Sequence, residues 1–162
     1  MGLIPSENNL GNRPVRIGVV DTGVTPERLP FGRVAIQGIG IDWTSGAYRY
    51  SEGFQDLAGH GTGVACRILS FCRTAEICAV RIARQEGERI RVQVEEQVLA
   101  MGIDWCIENE VKIINVSYCI ATAAPGGVLD KVCRKVYDRG GSSLAPTEKS
   151  GGDMAFRQGI RT

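Results

Sequence analysis

Val15-Arg16-Ile17-Gly18-Val19-Val20-Asp21-Thr22-Gly23 is a short β-branched apolar run that stops at a turn. Apolar residues without alternation mark a buried strand, and Asp-Thr-Gly is a turn signal at its carboxyl end. Runs of the same kind recur at 34–43, 77–83 and 111–118. Between them stand stretches with helical spacing. Gly59 opens a glycine-rich segment that continues through Val64, Ala65, Ile68 and Leu69. Residues 92–109 set Val94, Val98, Met101, Ile103, Trp105 and Ile107 on a broad apolar face opposite Glu95, Glu96 and Gln97. Residues 128–137 space Val128, Leu129, Val132 and Val136 helically before the stop signal Gly140-Gly141. The stretches 44–58 and 84–89 read as exposed loops. Strands that are apolar throughout, alternating with helices, predict an α/β fold of three layers with a mostly parallel sheet covered on both faces. Ligand sites in such sheets lie beyond the carboxyl ends of the strands, where Asp21 and Ser117 fall.

The chain has 162 residues, the length of one domain. We assign the domain to 15–141, with an extended arm at 1–14 and a weakly ordered Gly/Ser-rich tail at 142–162. A net charge of +1 and few aromatic residues argue against nucleic acid as a partner. No run reaches the length of a membrane span, and MGLIPSENNL lacks the pattern of a secretory leader, so a soluble, cytoplasmic protein is expected, with no membrane partner. The six cysteines include no C-x-x-C pair and there is one histidine, so neither a metal nor a cofactor is assigned. The cysteines read as small buried apolar residues in a reducing compartment.

Three segments, in chain order, carry a family resemblance. They are Ile17-Gly18-Val19-Val20-Asp21-Thr22-Gly23-Val24, Asp56-Leu57-Ala58-Gly59-His60-Gly61-Thr62-Gly63-Val64-Ala65, and Gly102-Ile103-Asp104-Trp105 through Ile113-Ile114-Asn115-Val116-Ser117-Tyr118-Cys119. They resemble the D-T-G strand, the G-H-G-T-x-V-A helix start and the I-N-M-S-L-G strand of the subtilisin-like serine proteases, the subtilases. The resemblance implies a subtilisin-like fold, incomplete at its C-terminus, with Asp21 as the catalytic aspartate and His60 as the catalytic histidine. In that chemistry a neutral imidazole removes the proton of a serine hydroxyl, and a buried carboxylate fixes the ring's tautomer and stabilises the imidazolium. The family binds peptide as an added strand, so by resemblance Ser117, Tyr118 and Cys119 would line the groove. Cys119 stands where the family has glycine and would crowd a peptide backbone.

The serine half of the pattern does not follow. After Gly140-Gly141 the chain runs into Ser142-Ser143-Leu144-Ala145-Pro146, without the A-A-G-N segment that carries the oxyanion asparagine. Ser150-Gly151-Gly152-Asp153-Met154-Ala155 echoes S-G-T-S-M-A with Asp153 in the nucleophile's place. Loss of the oxyanion donor alone costs roughly 2.7–4 kcal/mol of barrier stabilisation. Negligible peptidase activity is therefore expected of this chain by itself. Ser142, Ser143 and Ser150 are candidates for a displaced nucleophile but read first as turn or linker residues. Cys66 and Cys119 are candidate thiol nucleophiles, set against the commoner role of buried cysteine. Trp43 and Trp105 read as core, Asp56 as a loop carboxylate and Asp104 as a helix-surface residue.

Three functions fit these residues. One is a peptidase-derived domain whose missing half comes from a second chain. Another is a non-catalytic pseudoprotease that binds a peptide or protein ligand or regulates a partner. The last is an α/β enzyme that reuses Asp21 and His60 as an acid/base pair in a non-peptidase reaction.

Overall fold

Strand β1 (Arg16–Asp21) is the axis of the sheet. It pairs in parallel with β4 (Glu76–Arg81) on one side and with β7 (Ile113–Val116) on the other. Strand β2 (Ile36–Thr44) pairs in parallel with β4, and β3 (Ala47–Ser51) folds back antiparallel along β2. The two-residue β8 (Ser142–Ser143) lies beside β7, giving the order β3-β2-β4-β1-β7-β8. The computed structural model describes residues 14–30, 36–118 and 125–139, and the backbone of 142–143, 145–147 and 155–157. Most of the arm, residues 119–124 with Cys119, and Ser150 and Asp153 lie outside the described residues.

Side chains alternate across a strand, so the sheet divides the core in two. Ile17, Val19, Ile77 and Ala79 pack under helix α1 (His60–Phe71), which contributes Ala65 and Leu69. Val20, Val80 and Ile114 face the other way, onto α2 (Glu96–Glu108) with Val98, Leu99, Ile103 and Cys106, and α3 (Val128–Asp138) with Val132 and Val136. Each fully buried Val, Leu or Ile contributes roughly 1.5–3 kcal/mol. The observed architecture is the three-layer, mostly parallel α/β fold expected.

The structure differs from the sequence expectation where strands are exposed. The stretch read as a loop at 44–58 contains β3, reached through a tight turn with Ser45 at φ 52° and Gly46 at φ 82°. The charged segment at 84–89 belongs to a hairpin of β5 (Ala83–Glu86) and β6 (Arg89–Val92). Strands β9 (Ala145–Thr147) and β10 (Ala155–Arg157) form a second antiparallel pair. Helix α2 begins at Glu96, not near Val92, because Gln93 is tied to Ile82 and Ile41 instead of entering the helix. Its backbone N–H donates to Ile82 O, and its side-chain amide donates to Ile41 O and Ile82 O. Trp43 is not core: it is 48% exposed at the end of β2, where it meets Tyr48 edge-on at 4.7 Å between centroids. Trp105 does pack against the core as read, and Asp104 lies at the helix surface paired to Lys135 Nζ at 2.9 Å.

Candidate functional site

The central strand delivers Asp21 to its carboxyl end with no solvent exposure. His60 is the first residue of α1, and its Nδ1 lies 2.8 Å from Asp21 Oδ1 and 3.0 Å from Oδ2. Oδ1 also accepts the Thr22 backbone N–H at 2.6 Å. A carboxylate can only accept, so the Nδ1–H tautomer is the one that makes this bond to an ionised Asp21. The ring is 55% exposed, and among the described residues nothing bonds Nε2. The imidazole therefore stands with its basic edge outward and its other edge fixed to a buried anion.

This meeting depends on how closely the end of β1 approaches the start of α1. Gly23 has φ +113°, and a Cβ there would sit 2.5 Å from Gln55 O. A Cβ on Gly61 would sit 2.2 Å from Gly23 O and 3.0 Å from Asp21 Cβ. No side chain fits at either position.

Hydroxyl groups then tie the two elements together. Thr22 Oγ1 accepts the Gly61 N–H at 2.9 Å, and Thr62 Oγ1 accepts the Thr25 N–H at 3.0 Å. Both hydroxyls donate to Asp56, Thr22 to Oδ1 at 2.7 Å and Thr62 to Oδ2 at 2.5 Å. Asp56 also accepts the backbone N–H groups of Ala58 at 3.0 Å, Gly59 at 2.8 Å and Thr62 at 2.8 Å. Burial acts to raise the Asp56 carboxyl, but the bonds from Thr62, Thr22 and the neighbouring backbone outweigh it and hold it below the usual carboxylate range. Sequence reasoning took Asp56 for an ordinary loop carboxylate. The available signal was an Asx-type residue a few positions before a helix start, where its side chain can take up unpaired backbone donors.

Of the groove residues read from the sequence, Tyr118 reaches the imidazole: its ring centroid is 5.9 Å from that of His60, with the planes tilted by 54°. Burial, with Asp21 and Asp56 nearby, pushes its phenol up to about 12. Ser117, half-buried just beyond β7, accepts a bond from Asn115 Nδ2 at 2.9 Å. Cys119 lies outside the described residues, as do Ser150 and Asp153; only the backbone of Ser142 and Ser143 is described. Cys66 is directed to Arg28 O at 3.7 Å, and no bond joins it to His60.

A feature the sequence did not disclose flanks this site. Asp42, Trp43, Gln55, Leu57, Arg81 and Arg84 line part of a cavity of about 530 Å³. Arg81 is bidentate to Asp42 at 3.0 and 2.8 Å and also donates to Gly53 O at 2.8 Å and to Ala83 O. Burial acts to raise the Asp42 carboxyl, and the bonds from Arg81 and Ser51 overcome it, leaving it lowered. Among the described residues no cluster of His, Cys, Asp and Glu could hold a metal ion. No described helix is long and apolar enough to cross a membrane.

No protein-family model matches the chain. The minor extracellular protease Epr of Bacillus subtilis (strain 168) is 27% identical over 151 residues, in an alignment that covers 88% of this chain and 21% of that protease. Among solved structures, the prenylagaramide maturation protease PagA superposes with a TM-score of 0.60 at 18% identity, covering 90% of this chain and 50% of that one. The chain thus spans about a fifth of one relative and half of the other. The fold is that of a subtilisin-like protease.

Proposed function

We propose that this chain is a subtilase-like, peptidase-derived domain in which Asp21 and His60 are the proton-handling half of a subtilisin-type apparatus. One observation carries this reading: both oxygens of the buried Asp21 lie within 3.0 Å of His60 Nδ1 at the carboxyl end of the central strand. Held as the Nδ1–H tautomer, the ring takes a hydroxyl proton at Nε2, and the carboxylate stabilises the imidazolium that results. The sequence holds neither a G-T-S-M-A serine run nor an A-A-G-N segment, so by itself the chain has negligible peptidase activity. A second chain bearing the serine half is the partner that completes the site, and a peptide or protein is the substrate.

A fluorophosphonate probe of serine hydrolases tests this directly. The chain alone stays unlabelled, and a serine-bearing partner in complex with it is labelled only while His60 is present. Labelling of the isolated chain that His60→Ala abolishes would overturn its inactivity. Labelling of the complex that survives His60→Ala would remove His60 from the chemistry.

The tilt of Tyr118 onto His60 favours a second reading, a pseudoprotease that binds peptide or regulates a partner without cleaving. An aromatic ring there occupies space beside the base. Peptide binding unchanged by Asp21→Asn, with no labelling in any complex, is the outcome that selects it.

A further inference from the structure

We propose that Asp56 is the positioning residue of the Asp21–His60 pair, the common acceptor that aligns the threonine hydroxyls and so clamps the start of α1 onto the end of β1. The proposal rests on the reading of that pair as an acid/base unit.

The geometry is a crossed exchange. The hydroxyl on the strand side, Thr22, takes an N–H from the helix side, Gly61; the hydroxyl on the helix side, Thr62, takes an N–H from the strand side, Thr25. A hydroxyl has one proton to give, and it can serve these N–H groups only if that proton points elsewhere. Asp56 supplies the elsewhere for both. With the N–H groups of Ala58, Gly59 and Thr62 it accepts five donors and makes no donation. That load fits an ionised carboxylate, whose oxygens offer about four lone-pair sites shared among them. It does not fit a carboxamide, whose NH₂ would face donors on one side.

His60 sits inside this frame. Its neighbours Gly59 and Gly61 are each bound by the clamp, Gly59 through Asp56 Oδ1 and Gly61 through Thr22 Oγ1. The ring is otherwise half exposed and attached to the protein by Asp21 and the tilted ring of Tyr118. Releasing the loop at 56–59 frees the backbone that aims Nδ1 at the carboxylate. Asp56 touches neither the ring nor any reacting atom, so its action is through the backbone.

The chain contains one histidine, so its imidazole signals need no assignment. Long-range ¹H–¹⁵N correlations on the uniformly ¹⁵N-labelled full chain show which ring nitrogen bears the proton. At neutral pH the parent protein shows the Nδ1–H form, and Asp56→Asn loses it while far-UV circular dichroism shows the fold retained. Thr62→Val also lowers the Nδ1–H population, and Thr62→Ser restores it. A folded Asp56→Asn protein that melts lower but keeps Nδ1–H overturns the proposal, since that is the behaviour of a merely structural carboxylate. If Asp56→Asn does not fold, Thr22→Val decides: an unchanged tautomer in that variant overturns the proposal equally. A parent protein without the Nδ1–H form, or one in which Asp21→Asn leaves it unchanged, instead refutes the acid/base pair itself.

Discussion

At the junction of β1 and α1, Val19, Val24, Ala65 and Leu69 have no solvent exposure, whereas at the flank of β7 and α3, Ile113 and Val128 are 40% and 50% exposed. The same sheet supports both regions. The junction is fixed by residues that allow no substitute: two glycines pressed against backbone, two threonine hydroxyls with assigned directions, one carboxylate. The flank is held by apolar contact through Val132 and Val136, the buried residues of α3, and by two bonds, Leu129 N–H to Glu96 and Lys135 to Asp104. The contrast teaches that the alignment of Asp21 with His60 depends on one rigid corner rather than on the domain as a whole.

Mutations should separate the two regions in a graded way. Leu69→Ala empties a fully buried site beneath α1 and should cost about 2–5 kcal/mol in urea melts. Gly61→Ala forces a methyl group against Gly23 O and should cost about 1–3 kcal/mol, with His60 leaving Asp21 in the imidazole spectra. An equal loss from Val128→Ala would erase the distinction between corner and flank. Thr22→Val leaves the Gly61 N–H buried without an acceptor, at roughly 1–2 kcal/mol.

Acid should act on the corner before neutral-range pH does. The Asp56 carboxyl is lowered in the folded protein, so its contribution is complete above the unfolded value of about 3.9 and drains away as pH falls through the lower folded value. Stability measured from pH 7 down to pH 2 should show this limb, and Asp56→Asn should flatten it. The smallest effect belongs to the flank: Val128→Ser, at a half-exposed position, should change stability by no more than about 0.5 kcal/mol.

Much of this molecule was legible in its sequence because burial on both faces leaves uninterrupted apolar runs. β1 and β4 announce themselves that way, and the glycines around His60 mark a helix start that must come close to something. The hairpins were hidden for the opposite reason. In β6, Arg89 and Arg91 are exposed while Ile90 and Val92 are half-buried, an alternation too short and too charged to outweigh a loop reading. The Ser45-Gly46 turn between Trp43 and Tyr48 was a usable hairpin signal, since adjacent positive-φ residues suit the twist of paired strands. Trp43 shows the limit of composition: a large aromatic residue near the end of β2 stays half in water, against Tyr48. Asp56 was missed because its partners are set by tertiary approach, with Thr22 lying 34 residues away.

Strand β4 lies between β1 and β2, although it follows both in the chain. Each partner of β1 is therefore made after Asp21 and His60 have already been synthesised. A nascent chain that has not yet released Arg81 from the ribosome holds both Asp21 and His60 but no completed neighbour for β1. Translation thus makes Asp21 and His60 before either of the strands that flank β1, so their alignment waits on the later chain.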